Sequence, residues 1–201
     1  ARAATRRNHT ATHVLHWALR KVLGEHVKQA GSLVAPDRLR FDFSHYEAVT
    51  PAEIRRIEQL ANSEVIANSQ VSANEMSKQA ATDKGAIAFF GDKYGDVVRV
   101  LEAGSSLELC GGTHVSATGD IGPIKIVSEG SIGSNLRRVE AVTGENAIRY
   151  LLDLTDTLAN AADVLGTKPD DVVAAAQRAI DNAKALGDEI KKLRAAQTVS
   201  R

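Results

Sequence analysis

The chain has 201 residues, and its 25 lysine and arginine residues balance 25 aspartate and glutamate residues, which leaves no global basic or acidic signature. A hydrophobic content of 43% is enough to bury a core and points to one main domain with an appendage. The single cysteine excludes an internal disulfide, and no apolar run approaches the roughly 20 residues of a membrane span, so a cytoplasmic protein without a signal peptide is expected. Charge is less even locally: residues 1–40 carry eight basic side chains against two acidic ones, a balance of +6. That excess suits either a polyanion or a solvated helix face. The start, inside a basic helical pattern, reads as a piece of a longer protein.

Taken in order, Ala11, Val14, Leu15, Ala18, Leu19 and Val22 recur at helical spacing and predict a helix from about Thr5 to Leu23, stopped by Gly24. Gln29–Ser32 reads as a turn. Leu33 to Phe43 reads as two extended runs broken at Ala35-Pro36-Asp37, with Leu39, Phe41 and Phe43 alternating like a half-buried strand. Thr50-Pro51-Ala52-Glu53 is a capping box that opens a second helix, continued by Ile54, Ile57, Leu60, Ala61 and Val65. Strands are expected at Val71–Met76, Asp96–Leu101, Leu107–Leu109, Ile121–Val127 and Leu136–Val142, with a short helix from Ser77 to Gly85. An apolar segment from Ile87 to Phe90 ends in a Gly91-Asp92 turn, and 128–135 reads as a loop. These elements predict an α+β domain over residues 1–142, with a mixed or antiparallel sheet and packed helices. Beyond it, over 143–201, Ile148, Leu151, Leu158 and Leu165, then Val173, Ile180, Leu186, Ile190 and Leu193, give heptad-like steps broken at Gly166–Pro169. They predict a C-terminal helical hairpin, an antiparallel pair serving as arm, linker or dimerisation element.

The chemistry gathers in two motifs. Asn8-His9-Thr10-Ala11-Thr12-His13 sets two histidines four apart, on one helix face. Leu107-Glu-Leu-Cys-Gly-Gly-Thr-His114 sets the only cysteine before two glycines and a histidine, so the backbone can turn a thiolate and an imidazole toward one spot. His9, His13, Cys110 and His114 together make a nitrogen and sulfur set suited to zinc. With all four bound the metal would be closed to water and mainly structural; with three, a position stays open for water or substrate. A buried, inert cysteine beside a polar helix is the plain reading of the same residues. A metalloprotease is disfavoured, because Thr10 stands where that chemistry needs a glutamate.

Several long, collinear stretches resemble the editing domain of alanyl-tRNA synthetase over residues 1–142. They are Arg7-Asn-His-Thr-Ala-Thr-His-Val-Leu-His16, Gly31–Val34, Leu39–His45, Phe90–Gly95, Glu108–Val115 and Leu136–Gly144. The tail resembles the segment leading to that synthetase's C-terminal region, and nothing resembles its aminoacylation core. The resemblance implies an aminoacyl-tRNA deacylase, an ester hydrolase that removes serine and glycine from the tRNA for alanine. A first pocket rejects such analogues only weakly, by about 1–3 kcal/mol, so a second site must clear the errors. It also implies zinc at His9, His13, Cys110 and His114, a role for Thr12 in recognising the serine hydroxyl, and Gln29 in the pocket. Cys110 would belong to the catalytic centre as a held thiolate and not as a nucleophile, with water attacking the ester. Arg137 and Arg138 would contact the acceptor end, or form only an exposed basic pair on a hairpin. The partners implied are mischarged tRNA, the rest of the synthetase, and a second copy through the helical arm. Rival readings are the editing domain of threonyl-tRNA synthetase, a free-standing trans-editing protein, and a non-catalytic zinc-containing tRNA-binding or assembly module.

Overall fold

The computed structural model describes residues 1–87 and 95–199, and the chain divides into two compact units, Ala1–Arg149 and Tyr150–Arg201. Of the expectations above, the turn at Gly91-Asp92, most of the apolar segment before it, and the stretch Phe90–Tyr94 lie outside the described residues. The first unit is built on α1 (Arg2–Leu23), whose apolar stripe is fully buried at Ala11, Val14, Leu15, Ala18 and Leu19. Gly24, at φ 113, ends it, a backbone angle at which a side chain would be strained. This helix and α2 (Pro51–Ala67) pack with a four-stranded antiparallel sheet whose strands run, in order, β1 (Gln29–Val34), β2 (Leu39–Ser44), β7 (Leu136–Thr143) and β6 (Ile124–Gly133).

Within that sheet β2 (Leu39–Ser44) is central, and Leu39, Phe41 and Phe43 are wholly buried, as their alternation predicts. Each such side chain contributes roughly 1.5–3 kcal/mol by leaving water. β2 pairs with β7 (Leu136–Thr143), Phe41 opposite Val139. β7 in turn pairs with β6 (Ile124–Gly133). The capping box forms as expected: Glu53 N–H donates to Thr50 Oγ1 at 3.3 Å, and Thr50 N–H donates to Glu53 Oε2 at 2.8 Å. α2 also covers the outer edge of β6, since Glu58 accepts from Ile126 N–H at 2.7 Å and Asn62 from Ile124 N–H at 2.9 Å. Those bonds occupy edge groups that would otherwise invite another strand.

A smaller sheet, order β3-β4-β5, holds β3 (Val71–Ser77), β4 (Val97–Ala103) and β5 (Ser106–Leu109), with α3 (Lys78–Asp83) after β3. Two local expectations change. Gln29–Ser32 is not a turn: β1 spans Gln29–Val34, an edge strand with an irregularity between Gln29 and Gly31. The loop expected over 128–135 shrinks to a tight turn at Ser134-Asn135, because β6 continues to Gly133 and Asn135 takes the left-handed conformation at φ 57.

α4 (Gly144–Val164) begins in the first unit and continues into the second, which ends with α5 (Val172–Val199) after a break at Gly166 and a 3-10 turn at Pro169–Asp171. The break falls where the sequence predicts it. The heptad positions Leu158, Ile180 and Leu193 are 44%, 62% and 60% exposed, whereas Ala162 and Ala175, on either side of the break, are buried. No helix among the described residues is long and apolar enough to cross a membrane.

Candidate metal centre

α1 presents His9 and His13 one turn apart, and β5 delivers Cys110 and then, through Gly111-Gly112-Thr113, His114. One ligand atom from each of these four residues lies within 4.8 Å of all the others. Cys110 Sγ is 3.6 Å from His9 Nε2 and 3.3 Å from His114 Nε2. Zinc bonds of about 2.3 Å to sulfur and about 2.0 Å to nitrogen, at tetrahedral angles, set such ligands about 3.5 Å apart. The donor set, and the two sulfur–nitrogen spacings, therefore fit a zinc-sized ion. His13 and His114 are buried while His9 and Cys110 are half-buried, so what access the cluster has to solvent is past His9 and Cys110.

The turn is fixed from several directions. Arg99 accepts from Cys110 N–H at its carbonyl, and its guanidinium donates to the carbonyls of Cys110 and Gly112 at 3.2 and 2.5 Å. Gly112 N–H donates to Cys110 Sγ at 3.4 Å. The two glycines differ: a Cβ on Gly112 would lie 2.7 Å from His9 Nδ1 and closer still to its ring carbon, whereas one on Gly111 would meet nothing within 4 Å. Only Gly112 is demanded by close approach. Thr10 ties the two motifs together, its hydroxyl 3.3 Å from His114 Nδ1 and accepting from Val115 N–H at 3.1 Å.

Glu108 is the part of the site to which sequence reasoning gave no role. Its carboxylate, 1% exposed, bridges the Nδ1 atoms of His13 and His16, the latter at 2.7 Å. With Nδ1–H of His13 donating to Glu108, Nε2 is the atom left to face a metal, the carboxylate–histidine–metal arrangement that fixes ring and tautomer. The available signal was period two: Glu108 and Cys110 lie two apart at the end of a strand and so share a face.

Electrostatics follow from this crowding. Burial opposes ionisation of Cys110, yet hydrogen bonds from His114, His13 and His9 hold the thiol down to about 3. Burial also opposes a charged His13, but Cys110 and Glu108 raise it to about 9. Burial pushes Glu108 up, and the hydrogen bonds from His13 and His16 overcome it, leaving it below the usual carboxylate range. His114 is depressed by burial and by the neighbouring His9 and His13.

The other expected site residues are placed as follows. Thr12 is buried on α1, three residues from His9, and its hydroxyl donates to the Asn8 carbonyl at 2.8 Å. Gln29 opens β1 and its amide donates to Ser32 Oγ at 3.2 Å, with no hydrogen bond to the four-residue cluster among the described residues. Arg137 and Arg138 are not an unpaired basic patch: Arg137 makes a two-bond pair with Glu129 at 2.6 and 2.8 Å, and Arg138 with Asp42 at 2.7 and 2.9 Å.

Residues 98–140 match the Threonyl and Alanyl tRNA synthetase second additional domain. Over 173 residues, 86% of this chain, it is 57% identical to an alanine–tRNA ligase from Desulfitobacterium hafniense (strain Y51), covering 20% of that protein. Over 187 residues, 93% of the chain, it is 52% identical to one from Xylella fastidiosa (strain M12), covering 21% of that protein. A further alanine–tRNA ligase, from Polaromonas naphthalenivorans (strain CJ2), is 53% identical over 96% of the chain and 22% of its own length. The chain thus spans about a fifth of the relatives it matches. It is an alanyl-tRNA synthetase homologue, a segment of that family carrying the second additional domain.

Proposed function

We propose that this domain hydrolyses the ester of mischarged tRNA for alanine, releasing serine and glycine, with zinc as its resident metal. The observation that carries the reading is the convergence of His9, His13, Cys110 and His114 within 4.8 Å, in a homologue of alanine–tRNA ligases. When bound, zinc would supply a fixed positive charge that polarises the ester carbonyl or orders the terminal adenosine. The chain's own groups do the rest. Glu108 and Thr10 orient the rings of His13 and His114. As a ligand of the zinc, Cys110 would be a held thiolate of reduced nucleophilicity, so water attacks the ester.

Thr12 supplies discrimination in this reading. Its proton is engaged by the Asn8 carbonyl, which leaves Oγ1 as an acceptor for the serine hydroxyl that alanine lacks. Release of glycine rests on the family resemblance. Gln29 would shape the pocket, and Arg137 and Arg138 would reach the acceptor end with the Nη1 nitrogens left outside their carboxylate pairs. The remainder of the synthetase and a second copy through the arm are the proposed protein partners, in the cytoplasm.

A second reading is favoured by the same cluster. Four ligands would complete a zinc shell, and such sites are usually structural. Single-turnover deacylation of seryl-tRNA and alanyl-tRNA, both on the tRNA for alanine, separates the two. The hydrolytic reading expects serine loss alone, abolished by a chelator, and about tenfold poorer discrimination in Thr12→Val with metal content intact. No hydrolysis of either ester with zinc still bound would leave the structural reading.

A further inference from the structure

Beside the cluster lies a cleft of about 290 Å³ lined by Ala3, Arg6, Arg7, Val115, Ser116 and Asp120. Two arginines meet in it. Arg6 donates through Nε to the carbonyl of His114 at 2.8 Å, so one wall of the cleft is bonded directly to a residue of the metal centre. The Arg7 side chain makes no hydrogen bond or ion pair with any described residue, and its buried Nε, packed beside Gly144, is without a partner. This contrasts with Arg137 and Arg138, each neutralised by a two-bonded carboxylate. The one acid in the cleft, Asp120, is engaged elsewhere: Oδ2 accepts from the backbone N–H groups of Ser116 and Ala117 at 3.2 and 3.0 Å. No ion pair joins it to either arginine among the described residues.

Two guanidinium groups against one occupied carboxylate leave a local positive excess, in a concave site, one residue away from the proposed reaction centre. Arginines without a carboxylate partner match a phosphate, whose oxygens accept their forked N–H donors. We infer that the Arg6–Arg7 cleft binds the phosphodiester preceding the acylated terminal nucleoside of the RNA substrate, and so sets how far the ester reaches into the centre. The inference rests on the deacylase reading for its ligand, and it adds a subsite which that reading did not contain. An RNA end suits the geometry because the terminal ribose carries its ester on one side and its 5′-phosphate on the other. A phosphate seated on Arg6 and Arg7 would leave that ester facing His114 and its neighbours.

The test is binding of an uncharged, fluorescently labelled acceptor-stem hairpin ending in single-stranded CCA, measured by anisotropy over a salt series with the whole 201-residue chain. A second hairpin carries a neutral methylphosphonate at the last linkage. Arg7→Gln is expected to weaken binding of the first hairpin about tenfold and to lower the salt dependence by about one released ion. Arg7→Lys, which keeps the charge and loses the fork, should fall between. The neutral linkage should weaken the wild type at least as much, and should cost Arg7→Gln only the smaller part left to Arg6. Arg56→Gln, an exposed site on α2, controls for loss of charge, and retained zinc content controls for folding. Equal losses in Arg7→Gln and Arg56→Gln, or additive effects of Arg7→Gln and the neutral linkage, would overturn the inference. Binding is read here without hydrolysis, so a failed deacylation assay and a failed phosphate site give different results.

Discussion

At the scale of single residues, the adjacent glycines of the cysteine motif part company. Gly112→Ala must push the His9 ring away, because the added Cβ collides with it, whereas Gly111→Ala meets open space. Zinc affinity is therefore expected to drop about 10–100-fold in Gly112→Ala and to hold within about twofold in Gly111→Ala, read by competition with a chromophoric chelator. The protonation states give a second prediction. Metal-free His13, raised to about 9, is charged at neutral pH, and a ligand imidazole must be neutral, so binding has to displace its proton. Cys110, lowered to about 3, is already a thiolate and releases none. Calorimetry in buffers of different ionisation enthalpy should find about one proton released per zinc at neutral pH, falling toward zero as pH rises through about 9. Glu108→Gln removes a group that raises His13, so release at neutral pH should shrink; unchanged release would refute the assignment.

Residue chemistry was the most legible layer of the site. The His-x3-His and Cys-x3-His spacings identify the four candidate ligands, since helix and turn geometry are local. Glu108 could not be assigned the same way. A glutamate in a short strand is ordinarily solvent-facing, and its burial arises only when α1 brings His13 and His16 over it. The pairing of Arg137 with Glu129 and of Arg138 with Asp42 is likewise a product of strand register, which sequence spacing does not carry.

At the scale of elements, strong local signals produced accurate boundaries. The threonine, proline and glutamate at the start of α2 form the full capping box. Thr50→Ala should cost about 1 kcal/mol of stability in denaturant unfolding, and Thr50→Ser should restore most of it. No loss in Thr50→Ala would mean that packing of Ile57 and Ala61 alone sets the start of the helix. β1 was harder to read because Gln-Ala-Gly-Ser has turn composition; its strand state comes from β2, which supplies the hydrogen-bonding partner. The β6–β7 hairpin ran longer than its glycines and serines suggest for a similar reason, with Gly130 and Ser131 held opposite Arg138 and Arg137.

At the scale of the whole molecule, α1 joins core and chemistry in one element. Its Ala11, Val14, Leu15, Ala18 and Leu19 lie in the core, while His9 and His13 reach the cysteine turn at the end of the small sheet. A helix anchored by that much buried apolar surface can hold two ligands in place without metal, which suits a preorganised centre. The α+β class was legible because each strand and helix carries its own period. The state of the C-terminal helices was less so, since heptad spacing specifies a seam but not its partner, and most of those positions stand exposed.

The most direct test of the account is X-ray absorption at the zinc edge on the zinc-loaded chain. It should find one sulfur at about 2.3 Å with nitrogen ligands at about 2.0 Å, and the sulfur shell should vanish in Cys110→Ser. A shell of oxygen and nitrogen without sulfur in the unmodified protein would contradict a centre built from His9, His13, Cys110 and His114.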